Sequence, residues 1–292
     1  MHTIKLIFCA ISILLSMSIH AQTGTAAKTL HFTAIPDQNT TELTEKFQPL
    51  TDYLSKQLGM TVEYVPARDY QATVEMFRNG DVQLAWFGGL TGVQARKAVP
   101  GARAIAQGVE DPEYYSYFIA HMDTGLTERP DFPQTISSLT FTFGSESSTS
   151  GRLMPEYFIR QNSGKGLMEF FQQPVGYSGS HDKTAELVEA GRFQVGVLNY
   201  KIYEKRVADG ATDPNVVRII WKTPTFADYN WTAHPSADEL FGVGFIDRLA
   251  QVLISIDDPA LLTALPRTRL IPARNEDFEK LRAVAEALGM VR

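Results

Sequence analysis

The chain has 292 residues, a formal net charge of -6 at pH 7, and 44% hydrophobic residues. This length exceeds the usual size of one domain, and the composition can fill two modest hydrophobic cores. Acidic and basic residues are mixed along the chain, which argues against a basic face for nucleic acid. We therefore expect a protein with two globular lobes that does not bind nucleic acid.

The first 21 residues differ in character from the rest. Lys5 precedes an apolar run over residues 6–15, and Ala21 stands just before a polar stretch. This pattern is typical of a cleaved secretory signal peptide, because the apolar run is too short for a stable membrane span. An uncleaved anchor is the alternative. The single cysteine, Cys9, lies inside this segment, so the mature chain would have no thiol for a disulfide or for thiolate chemistry.

The residues after this segment predict strands that alternate with helices. A first helix should begin near Asn39 and end near Gly59, with Pro49 causing a kink or a later start. Its apolar side chains fall on one face: Leu43, Phe47, Leu50, Leu54 and Leu58. The pattern around it is strand, helix, strand, helix, strand, over residues 29–35, 39–59, 61–65, 69–79 and 82–87. This order is typical of a parallel sheet covered by helices.

A second alternation begins at Tyr115. Strands are predicted over residues 115–121, 139–143, 175–177, 193–198 and 216–221, and helices over residues 151–161 and 183–190. Residues 245–288 read as helices. A chain that builds two such units and ends in helices could return to its first lobe, but the pattern alone leaves that return open.

The most informative stretch runs from a strand into a helix, over residues 141–151, with the sequence FTFGSESSTSG. A helix start leaves backbone N–H groups free and adds a positive dipole end. The hydroxyls of Ser148, Thr149 and Ser150 supply further donors, and ligands often lie at the carboxyl ends of strands. A simple helix cap is the alternative, although one hydroxyl would suffice for it. A nucleotide P-loop is excluded by the glycine spacing and the missing lysine.

Further short motifs follow one another in a fixed order. They are Pro49-Leu50, Tyr53-Leu54, Leu58-Gly59, Asp69-Tyr70, residues 84–88 (LAWFG), Tyr114-Tyr115-Ser116, residues 148–151 with Leu153 and Pro155, and residues 179–182 (GSHD). This ordered set resembles the phosphate/phosphite/phosphonate substrate-binding proteins of ABC importers, over residues 29 to 230. A selenate-binding subgroup of that family is similar as well.

The resemblance implies a two-lobed α/β fold of the type II periplasmic-binding class. Each lobe is expected to hold a mainly parallel sheet flanked by helices, with the ligand in the cleft between the lobes. Residues 28–115 and 230–292 would form one lobe, and residues 116–229 the other. The family also implies a periplasmic monomer that uses no cofactor or metal and delivers its ligand to a permease in the inner membrane.

The same resemblance implies which residues bind the ligand. Ser148, Thr149 and Ser150 would hold an oxyanion, and His181 would add a donor, whether it is neutral or charged. Tyr70 and Tyr114 would line the opposite lobe, each with an apolar ring and a hydroxyl. Ordinary packing is the alternative for the histidine and for both tyrosines.

Two positions bear on which ligand is bound. Relatives that bind aminoalkylphosphonates carry acidic residues where the ammonium group points, and the corresponding positions here are closest to Lys201 and Tyr229, with Asp228 one residue away. An ammonium without its carboxylate would be costly in a closed cleft. We therefore expect a phosphonate-, phosphite- or phosphate-like ligand without an amine. The alternative is that Lys201 points to solvent.

An enzyme is the main alternative class of function, and the sequence argues against it. Ser148 or Ser150 with His181 and Asp182 superficially suggests a catalytic triad, but adjacent residues seldom converge as base and orienter, and no Gly-x-Ser-x-Gly elbow is present. The histidines show no zinc-site spacing. We therefore do not expect this protein to be an enzyme. The remaining alternatives are a sulfate or selenate binder, and a sensor subunit that presents its ligand-bound form to a signalling receptor.

Overall fold

The computed structural model describes residues 28–291. The predicted signal segment, residues 1–21 with Cys9, lies outside the described residues. Of the helices within residues 28–291, none has both the length and the hydrophobicity that crossing a membrane requires.

The chain builds its secondary structure in three stages. The first stage is β1 (Leu30–Ala34), α1 (Thr40–Leu58), β2 (Val62–Tyr64), α2 (Tyr70–Asn79), β3 (Leu84–Phe87), α3 (Gly89–Ala98) and β4 (Arg103–Gly108). The second is β5 (Ser116–His121), β6 (Phe141–Phe143), α4 (Met154–Ser163), α5 (Leu167–Phe170), β7 (Gly176–Tyr177), α6 (His181–Glu189), β8 (Val195–Asn199), α7 (Tyr200–Ala208) and β9 (Val217–Lys222). The last is β10 (Asn230–Ala233), α8 (Ser236–Phe241), α9 (Phe245–Ile254), β11 (Leu270–Pro272) and α10 (Glu279–Ala287).

The strands form two sheets, in the orders β11-β4-β10-β3-β1-β2 and β7-β6-β8-β5-β9. They confirm a two-lobed α/β fold, but the expectation of mainly parallel sheets is wrong, because both sheets are mixed. Strand β10 lies antiparallel between β3 and β4, and β5 lies antiparallel between β8 and β9. Both strands enter directly from the other sheet without a crossover helix, and only a parallel neighbour needs such a crossover. The tail does return to the first sheet, through β10 and β11.

Helix α1 begins and ends where its capping residues predict. The Asn39 side chain accepts hydrogen bonds from the backbone N–H groups of Thr41 and Glu42, and Gly59 takes the left-handed conformation with φ 69°. The helix continues through Pro49, so the expectation of a later start is wrong. A proline inside a helix costs about 3 kcal/mol. Burial of the apolar face on both sides of Pro49 outweighs that cost, at about 1.5–3 kcal/mol per large side chain: Leu43, Phe47, Leu50 and Leu54.

Several elements were missed from the sequence, among them α3, β4, α7 and β10, and strand β11 lies inside residues 245–288, which were expected to be helices. Helix α3 contains Gly89 and Gly92, and glycine is a poor helix former. Gly92 is needed at its position, since a Cβ there would lie 2.9 Å from both Arg96 and Asn230. Tertiary packing therefore overrides the local preference of this segment.

Two segments connect the sheets, residues 109–115 between β4 and β5 and residues 223–229 between β9 and β10. They run side by side, because Tyr114 and Phe226 exchange backbone hydrogen bonds of 2.9 and 2.8 Å. We call them the crossover segments. Large side chains in and beside them are fully buried, among them Tyr114, Tyr229 and Trp231. The candidate site lies next to these segments, between the two sheets.

Candidate functional site

The loop after β6 forms a wide turn at the start of α4. Ser148 caps this turn by accepting a 2.9 Å hydrogen bond from the backbone N–H of Gly151, and residues 149–153 make one π-helical turn before Met154. A Cβ on Gly151 would lie 2.9 Å from Ser148 Oγ and 3.1 Å from His181 Cε1. Only glycine fits between these two side chains. The helix-cap interpretation thus holds for Ser148, and the turn also brings His181 close to it.

Three buried hydroxyls follow one another in this turn, on Ser148, Thr149 and Ser150. That of Thr149 accepts a 2.9 Å bond from the backbone N–H of Leu90, at the start of α3 in the first lobe. A hydroxyl that accepts a backbone N–H keeps its own proton to donate. Ser148 and Thr149 therefore combine a structural bond with a remaining donor.

His181 opens helix α6 and is buried. Its backbone N–H donates to the carbonyl of Asp37 in the first lobe, at 3.0 Å, and its Nδ1 accepts from the backbone N–H of Asn199 at 3.3 Å. Burial lowers the pKa of His181 to about 3, so the imidazole is neutral near pH 7. Because Nδ1 is the acceptor, the single proton is on Nε2. His181 is thus a neutral donor, not a charged one.

Three buried tyrosines face the turn from the first lobe and the crossover segments: Tyr70, Tyr114 and Tyr229. Burial raises the pKa of each well above its usual value, so all three keep their protons. Tyr229 donates to Asp37 Oδ2 and accepts from Asn199 Nδ2, both at 2.9 Å. Tyr229 therefore links Asp37 of the first lobe to Asn199 of the second.

Asp228 is a buried acid in the same region. Its Oδ1 accepts a 2.9 Å bond from the backbone N–H of Gly89. Burial raises the pKa of Asp228 to about 7, although the hydroxyls of Thr149 and Ser150 and the Gly89 N–H oppose that rise. Near neutral pH this carboxyl can therefore either donate or accept a hydrogen bond.

Five buried side-chain atoms of this region make no hydrogen bond of standard length and angle among residues 28–291, although Ser150 lies close to Asp228 and Ser148 close to Tyr70: Tyr70 Oη, Tyr114 Oη, Ser150 Oγ, His181 Nε2 and Asp228 Oδ2. We call them the open polar atoms. They come from both lobes. After burial, the negative charges of Asp37 and Asp228 raise the pKa of Tyr229, and the ring centres of Tyr114 and Tyr229 lie 5.4 Å apart, so these residues are grouped around one tyrosine. A buried polar group without a partner costs about 1–3 kcal/mol, so such a cluster points to a site for a polar ligand.

Lys201, which was expected to bear on which ligand is bound, is occupied in an ion pair. Its Nζ donates to Glu110 Oε1 at 3.3 Å. Glu110 also binds the backbone N–H and the hydroxyl of Thr268. Lys201 therefore braces a crossover segment. The structure brings together the remaining predicted residues: Ser148, Thr149, Ser150, His181, Tyr70, Tyr114 and Tyr229.

The sequence interpretation missed Asp37, Asn199 and Asp228 as parts of this region. Asp37 follows β1, and Asn199 ends β8. Polar residues at the carboxyl ends of strands are where ligands of open α/β sheets are expected, and this signal could have identified both. Asp228 stood one residue from an expected acidic position and could have been found by allowing that shift.

The alternative catalytic and metal sites find no support in the geometry. Asp182 Oδ1 accepts from the Ser180 hydroxyl and the Lys183 backbone N–H, while His181 Nδ1 is bound to Asn199. A base without its carboxylate partner does not make a triad. Within the part of the chain that the structure describes, no group of three or more His, Cys, Asp or Glu side chains could hold a metal ion.

Comparisons with known proteins extend over nearly all of the described chain. A family model for the periplasmic phosphonate substrate-binding protein of an ABC transporter matches residues 32–278. The chain is 37% identical over 272 residues to a probable ABC transporter phosphite binding protein of Prochlorococcus marinus, covering 91% of each chain. It is 26% identical over 287 residues to a phosphate-import protein of Mycolicibacterium smegmatis, covering 90% of this chain and 86% of that one. The structure of the Prochlorococcus marinus protein in complex with methylphosphonate matches with a TM-score of 0.85 and 36% identity, covering 90% of this chain and 99% of that one.

Proposed function

The chain belongs to the family of periplasmic substrate-binding proteins of phosphonate ABC transporters, and we propose that it captures a small tetrahedral oxyanion without an amine group. Proteins of this family bind a small ligand for a permease in the membrane and are not enzymes. The family is periplasmic, and a cleaved signal peptide at residues 1–21 would account for export. Phosphite, methylphosphonate and phosphate are the candidate ligands.

The observation that carries this proposal is the cluster of open polar atoms. Four of them, on Tyr70, Tyr114, Ser150 and His181, belong to groups that can donate a hydrogen bond while remaining neutral, and the fifth is on Asp228. Donors from both lobes would surround one anion. Hydrogen bonds to a charged group contribute about 1.5–3 kcal/mol each, and a dissociation constant of about 1 μM requires about 8 kcal/mol. Four or five such bonds contribute about 6–15 kcal/mol gross, and the cost of ordering must be subtracted from this sum, so capture requires that most of these bonds be made in one closed site.

The relatives support this class of ligand. The Prochlorococcus marinus relative is described as a phosphite binding protein, and its structure contains methylphosphonate. The Mycolicibacterium smegmatis relative is described as a phosphate-import protein. All three ligands are tetrahedral phosphorus oxyanions.

Asp228 favours an oxyanion that carries a proton. Oδ2 of Asp228 is an open polar atom, and two bare negative charges side by side would repel each other in a buried site. One proton between this carboxyl and the ligand removes that repulsion and makes a hydrogen bond. Phosphate, phosphite and phosphonates can hold such a proton near neutral pH, whereas sulfate and selenate hold none. We infer that the phosphorus oxyanions bind more tightly than sulfate or selenate above about pH 7, where Asp228 no longer supplies the shared proton itself.

The two positions that bind an ammonium group in relatives carry no carboxylate in this chain. Lys201 is itself a cation and pairs with Glu110. Tyr229 uses its hydroxyl on Asp37 and Asn199. A ligand with an amine would find no carboxylate at either of these two positions, and the carboxyl that does face the site, that of Asp228, is the one we propose to share a proton with the oxyanion. Its ammonium group would therefore be desolvated without a free partner.

Isothermal titration calorimetry of the purified protein against phosphite, methylphosphonate, phosphate, sulfate, selenate and 2-aminoethylphosphonate tests this proposal. We expect at least one phosphorus oxyanion without an amine to bind about tenfold or more tightly than sulfate, selenate and the aminoalkylphosphonate, a difference of about 1.4 kcal/mol. Ser150→Ala should weaken that binding. Ser163→Ala is the matched control, because its hydroxyl binds the carbonyl of Ile159 at the end of α4. Equal or tighter binding of sulfate would contradict the proposal.

A further inference from the structure

Arg267 is a buried cation that lies between α9 and β11 in the first lobe. Its side chain is 2% exposed and that of its partner Asp111 is 0% exposed. Nε of Arg267 donates to both carboxylate oxygens of Asp111 at 3.0 Å, and Nη2 donates to Oδ1 at 2.8 Å. Nη1 donates to the carbonyl of Leu265. The guanidinium is therefore held in one orientation by a forked ion pair.

This guanidinium packs on three aromatic rings. Its Cζ lies 4.6 Å from the ring centre of Tyr229, 4.9 Å from that of Tyr114 and 5.5 Å from that of Trp86. Arginine over an aromatic face within about 6 Å makes a cation–π contact. Tyr114 and Tyr229 belong to the candidate site. Arg267 thus contacts the rings of two site residues without being among the groups proposed to touch the ligand.

The backbone leaves room for this arrangement at Gly108, the last residue of β4. A Cβ there would lie 2.4 Å from Arg267 Cδ and 2.6 Å from Asp111 Oδ2. Both of these atoms are fixed by the buried ion pair, so they cannot move aside without breaking it. Glycine at this position is therefore a requirement of the Arg267–Asp111 pair.

Arg267 also contacts both crossover segments. Asp111 and Tyr114 belong to the first, and Tyr229 belongs to the second. The two segments are joined beside it, since the backbone N–H of Asp228 donates to the carbonyl of Asp111 at 3.0 Å. The guanidinium thus contributes to the orientation of both tyrosine rings relative to each other and to Asp228, beside the hydrogen bonds that hold the Tyr229 hydroxyl.

The charge of Arg267 matters for anion binding as well. The groups proposed to contact the ligand are neutral hydroxyls, a neutral imidazole and the carboxyl of Asp228. Burial raises the pKa of Tyr114, the charge of Arg267 is the next largest influence and lowers it, and the carboxylate of Asp111 offsets part of this lowering. A hydroxyl whose ionised form is favoured by a nearby cation is a stronger donor to an anion.

We propose that Arg267 is a positioning residue for oxyanion capture, which orients Tyr114 and Tyr229 through their ring faces and strengthens the Tyr114 hydroxyl as a donor. This inference rests on the proposed function, because it requires that the protein bind a phosphorus oxyanion. It predicts that Arg267 and Tyr114 act together, whereas a purely structural arginine would change stability without changing what Tyr114 contributes.

A double-mutant cycle distinguishes the two roles. The dissociation constant of methylphosphonate, or of the tightest phosphorus oxyanion found above, is measured for the native protein, Arg267→Met, Tyr114→Phe and the double variant. We expect each single variant to weaken binding about tenfold, and Tyr114→Phe to weaken it by only about twofold in the Arg267→Met background, because coupled residues are not additive. A parallel cycle of Arg267→Met with Ser148→Ala is the control and should be multiplicative.

Two further variants keep the test decisive if Arg267→Met does not fold. Arg267→Lys keeps the charge but cannot make the forked, stacked contact, and Gly108→Ala displaces the native arginine without removing it. Both should weaken binding and reduce the effect of Tyr114→Phe. Native affinity in the folded Arg267 variants, or an undiminished effect of Tyr114→Phe, would overturn the inference. Failure of the native protein to bind any phosphorus oxyanion would instead overturn the proposed function.

Discussion

The Nδ1 atom of His181 accepts a hydrogen bond from the backbone N–H of Asn199, at 3.3 Å. Asn199 ends strand β8, and His181 opens helix α6, so the bond fixes the ring against the end of the second sheet. With Nδ1 occupied and the pKa of His181 lowered to about 3 by burial, Nε2 carries the proton. The backbone of one residue thereby determines which atom of the other can donate to an anion.

We predict that His181→Ala weakens binding of methylphosphonate about tenfold or more, which corresponds to about 1.4 kcal/mol, because it removes the Nε2 donor. The contribution of His181 should not vary between pH 5 and 8, since the ring stays neutral. Calorimetry at several pH values measures both. His121→Ala is the control, because His121 is the last residue of β5 and contacts Asp123 instead of a residue of the candidate site. A loss of similar size in the control would contradict the assignment.

Gly151→Ala should weaken binding about tenfold or more, because the added Cβ would lie 2.9 Å from Ser148 Oγ and 3.1 Å from His181 Cε1. These two side chains would have to move apart. Gly166→Ala is the matched control, since a Cβ there would meet nothing closer than the flexible Arg160 side chain at 3.6 Å. Fluorescence titration of both variants with methylphosphonate decides the matter, and native affinity in Gly151→Ala would contradict the proposed turn.

Asp228 should make binding dependent on pH. Burial raises its pKa to about 7, so above that pH the proton shared with the ligand is lost. Affinity for methylphosphonate should fall by up to about tenfold per pH unit above neutrality. Asp228→Asn can still accept from Gly89 and offers an N–H donor to the ligand. It should therefore remove most of this dependence and improve binding of sulfate relative to methylphosphonate. A flat affinity profile of the native protein from pH 6 to 9 would count against a shared proton.

The free energy of unfolding of the ligand-free protein should also depend on pH. The pKa of Asp37 is raised to about 6 and that of Asp228 to about 7, both mainly by burial. The unfolded chain releases these protons near pH 4, so the folded protein binds more protons between pH 4 and 7. The contribution of these two carboxyls to the free energy of unfolding should therefore decrease as pH rises through this window, while His181, whose pKa is lowered to about 3, contributes in the opposite direction below pH 6.5. Urea unfolding at several pH values isolates the carboxyl contribution, because Asp37→Asn and Asp228→Asn should each lose less stability between pH 4 and 7 than the native protein loses.

Lys201→Met should have a small effect on affinity. Its Nζ pairs with Glu110 at the edge of a crossover segment and is partly exposed, and such pairs contribute about 0.2–1 kcal/mol. We expect a change below about fivefold in the dissociation constant of methylphosphonate. A loss of more than that would return Lys201 to the set of residues that contact the ligand.

Much of the site was predictable because local sequence determines its parts. The capping Asn39 and the run of hydroxyls at residues 148–150 act within one turn of the chain, and their geometry followed from elementary helix chemistry. Ordered motifs then identified the family. None of these signals depends on contacts between residues that are far apart in sequence.

The remainder depended on contacts between residues far apart in sequence. Arg267 and Asp111 are 156 positions apart, and no local pattern pairs them. Lys201 was expected near the ligand because of its place in the chain, and its ion pair with Glu110, 91 positions away, could not be read from any local pattern. Strands β5 and β10 run antiparallel because each enters its sheet from the other lobe, which periodicity within one segment does not reveal.

The central claim is that one oxyanion is held between the lobes by the open polar atoms. A crystal structure of the protein with methylphosphonate tests it most directly. We predict phosphonate oxygens at about 2.5–3.2 Å from Ser150 Oγ, His181 Nε2 and Asp228 Oδ2, with the hydroxyls of Tyr70 and Tyr114 facing the same anion. An anion bound elsewhere, or one that contacts only one lobe, would contradict the account.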